Sequence, residues 1–123
     1  MIRFRLLAIV AVMSVACSPE PGVNSIELDV FEFGINPSAA TYSPGPVEFT
    51  TNNTGEFAHT IVITDSAGLV VMASELIQPE TSLGITLDLT GGEYQITCRI
   101  VTRGEDGTVF DHFERGMTTT ING

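Results

Sequence analysis

Apolar and polar positions alternate with a period of two along most of this chain. That period belongs to strands whose two faces meet different surroundings. In residues 25–33, Ile26, Leu28, Val30, Phe31 and Phe33 stand against Glu27, Asp29 and Glu32, with one slip near Phe31. Residues 46–50 put Val47 and Phe49 on one face. Residues 58–64 put His59, Ile61 and Ile63 on one face and Thr60, Val62 and Thr64 on the other. The same alternation aligns Ile85, Leu87 and Leu89, then Tyr94, Ile96 and Cys98, then Met117, Thr119 and Ile121.

Turn-forming residues fall between these runs: NPS, SPGP, NNTG, DSAG, QPETS, TGGE and RGEDG. Glycine, proline, asparagine and aspartate each supply a backbone geometry or local hydrogen bond that a strand interior does not want. Only LVVMASELIQ, residues 69–78, is expected to hold a short helical turn. Many short strands with regular punctuation predict an all-β fold, an antiparallel sandwich or barrel.

The chain has 123 residues, enough for one domain with a single modest core. Arg3 and Arg5 precede an apolar run from Leu6 to Ala16, which is too short to cross a bilayer as a helix. Residues 1–16 therefore read as a secretory signal. The ending SVAC resembles a bacterial lipobox, with Ser14 where that pattern prefers leucine, and makes Cys17 the expected lipidation site and first mature residue. Residues 17–24 then form a linker and residues 25–123 the domain.

Charge narrows the partners. The formal net charge is −10, and removing the leader takes two of the five arginines and none of the fifteen acids, leaving −12 with no lysine. Such a field repels nucleic acid and anionic lipid headgroups, and it favours solubility and encounter with a basic partner. If Cys17 carries lipid, Cys98 has no disulfide partner. A lone thiol in an oxidising compartment calls for burial, reactivity or metal ligation.

The chain holds two histidines, His59 and His112, and a methionine, Met117, soon after the second. Taken singly, each has an ordinary reading: His59 as a packed strand histidine, Cys98 as a buried thiol, Met117 as core filling. Taken together, two imidazoles and a thiolate with a weak axial thioether are the ligand set of a blue copper electron-transfer site. Thiolate and thioether favour Cu(I), and imidazoles accept Cu(II). A structural zinc site using an acid such as Asp111 would leave Met117 without a role. A binuclear copper centre needs two bridging cysteines, and only Cys98 is available. No serine nucleophile motif, phosphate loop or other catalytic constellation is present, so an enzyme is not expected.

These motifs resemble the cupredoxins, and among them the plastocyanin-like proteins. The resemblance runs over nearly all of residues 25–122, through FGINPS, PGPVEFTTNNTGEFAHTIVI, GGEYQITC and HFERGMTTTIN. It implies a Greek-key β-sandwich of seven to eight strands. It also implies that His59, Cys98 and His112 bind one copper ion cycling between Cu(II) and Cu(I), with Met117 as the axial ligand. The protein would then be an exported one-electron carrier, monomeric, held to a membrane through Cys17 and serving redox proteins of the cell envelope. Copper sequestration or delivery, and a metal-free interaction module, are the competing readings.

One feature departs from the family. Thirteen residues separate Cys98 from His112, where family members usually place two to four. RIVT and TVFD read as the arms of a β-hairpin around RGEDG. A five-residue turn over residues 103–107 pairs Thr102 with Thr108 and sets Cys98 directly opposite His112, with Cα atoms about 4.5–5.5 Å apart. A four-residue turn sends the two to opposite faces.

Overall fold

The computed structural model describes residues 24–123. The expected signal sequence, the lipidation at Cys17 and all but the last residue of the linker lie outside the described residues.

Two four-stranded sheets carry the domain. The first has the order β2 (Gly34–Pro37), β1 (Ser25–Phe31), β3 (Gly45–Asn53), β6 (Ser82–Leu89). The second has the order β10 (Thr118–Asn122), β7 (Glu93–Thr97), β4 (Val62–Thr64), β5 (Val70–Ala73). A separate hairpin joins β8 (Val101–Arg103) to β9 (Val109–Asp111). β1 lies parallel to β3, and every other pair of these strands is antiparallel. The fold is an all-β sandwich, with no helix among the described residues.

The alternation explains the core. Ile26, Leu28 and Val30 of β1 and Val47 and Phe49 of β3 point inward and are buried. Ile63 of β4 meets them from the opposite sheet, with Tyr94 and Ile96 of β7 and Ile121 of β10, and Ile61 joins them from just before β4. Each such side chain contributes about 1.5–3 kcal/mol by leaving water. Tyr42 closes one end by donating its hydroxyl to the carbonyl of Thr90 at 2.6 Å.

Three local expectations are corrected. Residues 70–73 form strand β5 rather than a helical turn, pairing with β4 across a bulge at Ile63 and Thr64. Val70 and Val71 are β-branched and fit a pleated surface. Their exposure follows from an edge position, which removes the alternation that marks a strand. The slip near Phe31 is a chain reversal: β1 ends there and β2 begins at Gly34, with Phe31 opposite Gly34. The NPS segment placed in a turn lies partly in β2, where Pro37 sits at the strand's end on a sheet edge.

Candidate metal centre

His59 stands ahead of β4, in an isolated bridge to Ile77 made by two main-chain hydrogen bonds of 3.1 and 2.7 Å. The run that reads as one strand from Ala58 is thus interrupted, and regular pairing starts at Val62. Asn53, at the end of β3, holds this segment in place. Its amide donates to the carbonyls of Phe57 and Ile77, both at 2.8 Å, and its oxygen accepts from Gly55 N–H at 2.9 Å.

Cys98 continues the β7 line by one residue. Its N–H donates to the carbonyl of Met117 at 3.1 Å, so the two residues stand opposite each other just beyond the β7–β10 ladder. Met117 in turn donates its own N–H to the carbonyl of His112 at 3.0 Å. The segment between them closes through bonds from Arg115 N–H to Asp111 and from Gly116 N–H to Phe113. The HFERGM step is therefore a compact turn whose two ends are tied to each other and to Cys98.

The hairpin folds back, with a register different from the one expected. Val101 pairs with Asp111, Thr102 with Phe110 and Arg103 with Val109, and His112 N–H donates to Ile100. Cys98 is thus not directly opposite His112. The turn occupies residues 104–108, one position later than expected. Asp106 accepts from Thr108 N–H at 2.9 Å, and Gly107 takes the left-handed conformation, φ 84°. Pairing partners move by two positions in total, an even number, so His112 keeps its face. The inner side of the hairpin carries Thr102 and Phe110, and the outer side carries exposed Val101 and Val109.

The three donors converge. His59 Nδ1 lies 3.1 Å from His112 Nδ1, and Cys98 Sγ lies 3.9 Å from the first and 3.7 Å from the second. All three residues are 0 % exposed. Met117, also fully buried, is joined to this group by the backbone bonds above.

The fold is similar to that of auracyanin from the photosynthetic bacterium Roseiflexus castenholzii, solved in its dithionite-reduced form, with a TM-score of 0.60. The match covers 82% of this chain and 97% of that one at 18% sequence identity. This chain has the cupredoxin fold. No family model matches the sequence. No curated protein matches it either.

Within this cupredoxin fold, each imidazole is held through its far nitrogen. His59 Nε2 meets Glu32 Oε1 at 3.0 Å, and His112 Nε2 meets Thr102 Oγ1 at 2.9 Å. No described buried side-chain nitrogen or oxygen lacks a partner. A carboxylate only accepts, so His59 places its proton on Nε2 and leaves a lone pair at Nδ1. His112 then donates from Nδ1 to that lone pair and accepts from Thr102 at Nε2. Turning the Thr102 hydroxyl lets His112 carry its proton on Nε2 instead, which frees both Nδ1 atoms together.

The donor set fits a metal. A triangle with edges of 3.1, 3.7 and 3.9 Å is spanned by one ion with bonds of about 2.0–2.1 Å to nitrogen and 2.3 Å to sulfur. Two imidazoles and a thiol, all buried, suit copper. Burial pushes the Cys98 thiol up, but the hydrogen bonds around it, those from the backbone N–H groups of Ile100 and Thr60 among them, outweigh it and lower its pKa. Thr60 N–H donates to the sulfur at 3.4 Å. Burial lowers the pKa of His112, and His59 beside it lowers it further. Both shifts favour the deprotonated forms that bind metal.

Aromatic rings cover His112. Phe33 meets it edge-on at 5.2 Å between centroids, and Phe57 lies tilted at 6.2 Å. Phe110 stacks on Phe33 at 5.9 Å, and the Arg115 guanidinium lies 4.7 Å from its centroid. Sequence reading brought out the three donors and missed the groups that hold them. Thr102 is one threonine among many in the sequence. Asn53 had a signal in the NNTG approach to His59. Glu32 had one too, since it sits in the slip of the β1 alternation.

Proposed function

We propose that the protein is an exported one-electron carrier that binds one copper ion through His59, Cys98 and His112, with Met117 as a weak axial ligand. The observation that carries this reading is the convergence of two Nδ1 atoms and one thiol at a buried point, each histidine fixed through its other nitrogen. Copper bound there would supply a Cu(II)/Cu(I) couple. The chain's own residues hold the donors in place, keep water out and leave little to rearrange when the charge changes. Its likeness in fold to auracyanin agrees with this reading. The proposal extends to anchoring at a membrane through lipid on Cys17, to a monomeric state and to redox proteins of the cell envelope as partners.

Titration of the purified protein with Cu(II), followed by optical and electron paramagnetic resonance spectra, tests the site. The expected result is an intense visible thiolate charge-transfer band that saturates at one copper and is absent from Cys98→Ser. Colourless or non-saturating binding rejects it.

Complete burial of the donors favours a second reading, copper sequestration or delivery, because the metal could exchange only when the hairpin opens. A reversible one-electron couple supports the carrier. A strong preference for Cu(I) with poor cycling supports copper handling.

A further inference from the structure

Glu32 lies in the reversal between β1 and β2, and its carboxylate reaches across to the loop that leads into His59. It accepts three donors. Oε1 takes Phe57 N–H at 2.7 Å and His59 Nε2 at 3.0 Å, while Oε2 takes Glu56 N–H at 3.0 Å. Its side chain is 20% exposed, and the histidine it holds is fully buried. Each of these partners is an N–H donor, the setting that favours the ionised carboxylate.

The seat for this carboxylate depends on Gly55. A Cβ at that position would stand 2.5 Å from Oε1 and 2.6 Å from Oε2, closer than side-chain atoms approach. The missing Cβ is the space the carboxylate fills. Two distant features of the sequence, an acid in a strand slip and a glycine after NNT, thus serve one contact.

We propose that Glu32 is a positioning residue of the copper site: it fixes the His59 ring with Nδ1 turned to the metal and biases the bound ion toward Cu(II). The inference rests on the copper reading above. A carboxylate on the far nitrogen of a ligating imidazole orients the ring and raises its basicity. A more basic donor, with a full negative charge behind it, stabilises the ion of higher charge more. Thr102, which holds His112, is neutral, so the two histidines are held differently.

Glu32→Gln removes the charge and keeps an oxygen that can accept at the Oε1 position. Gly55→Ala keeps the charge and displaces the carboxylate. Glu48→Gln, on an exposed position of β3, is the control. The first readout is the reduction potential of the copper-loaded proteins. Glu32→Gln is expected to weaken Cu(II) relative to Cu(I) by about tenfold, a rise of about 59 mV for a one-electron couple. Gly55→Ala is expected to shift it the same way and Glu48→Gln to leave it in place. The second readout needs no metal: nitrogen-15 spectra of the histidine rings should place the His59 proton on Nε2 in the wild type and lose that preference in Gly55→Ala. An unchanged potential in both variants, with the charge-transfer band intact, overturns the role of Glu32 and leaves the copper site standing. Absence of the band in the wild type overturns the copper reading itself, whatever the nitrogen spectra show.

Discussion

At the scale of single residues, the site separates groups that would hold a metal from groups that would tune it. Met117 is fully buried and tied by its backbone to both Cys98 and His112. A thioether in an axial position is a weak donor. Met117→Leu nearly conserves volume, so the apo fold should lose less than about 1.5 kcal/mol. The variant should keep its copper, and its potential should rise, because Cu(I) tolerates a lower coordination number better than Cu(II) does. Loss of copper, measured by metal analysis, would count against the axial role. Thr102→Val has the opposite profile. It leaves His112 Nε2 without its partner, so denaturant unfolding of the apo protein should show a loss of about 1–3 kcal/mol.

At the scale of elements, the β8–β9 hairpin carries the main departure from the resemblance. Its turn depends on Asp106, whose carboxyl is held below the usual range by hydrogen bonds from the Thr108 hydroxyl and N–H, and on Gly107 at positive φ. Gly107→Ala strains that backbone and should destabilise the hairpin by about 1 kcal/mol. Faster amide exchange confined to residues 100–112, with little change elsewhere, is the expected signature. The elements were legible wherever one face met the core. Ile26, Leu28 and Val30 announce β1, and Tyr94 and Ile96 announce β7, because a half-buried strand must alternate. β5 was not legible, since its edge position exposes Val70 and Val71 together. The hairpin was legible as a hairpin, but its register was set by one aspartate bond and one left-handed glycine, which alternation does not encode. The donors His59, Cys98 and His112 were legible from residue type and order. Their supports were less so: Thr102, 10 residues from His112, leaves no local pattern, and Glu32, 27 residues from His59, showed only as part of the slip in the β1 alternation.

At the scale of the whole molecule, metal and fold are linked. The donors come from the approach to β4, the end of β7 and the turn before β10, so a bound ion would join segments that the hydrophobic core joins only in part. A ligand that binds only the folded state adds about 2.7 kcal/mol at a hundredfold excess over its Kd. For a domain of about 100 residues that raises Tm by upwards of about 10 °C. Thermal unfolding with and without Cu(II) should show this rise, and a chelator should abolish it. Charge acts at the same scale. The arginines of the described residues, Arg99, Arg103 and Arg115, all lie in or beside the hairpin, where they are interleaved with Glu105, Asp106, Asp111 and Glu114.

The hairpin also bears on how such a chain can change over generations. The position of His112 is set at the root, by its bond to Ile100 and by the closed turn to Met117, and the tip lies beyond it. Residues 104–108 can then be lengthened, shortened or replaced without moving a donor, provided the arms change in steps of two. Selection acting on the tip is uncoupled from selection acting on the metal. The same uncoupling makes the tip a natural graft point, where a foreign peptide could be displayed next to a centre whose thiolate band, once copper is bound as proposed, would report whether the graft has folded.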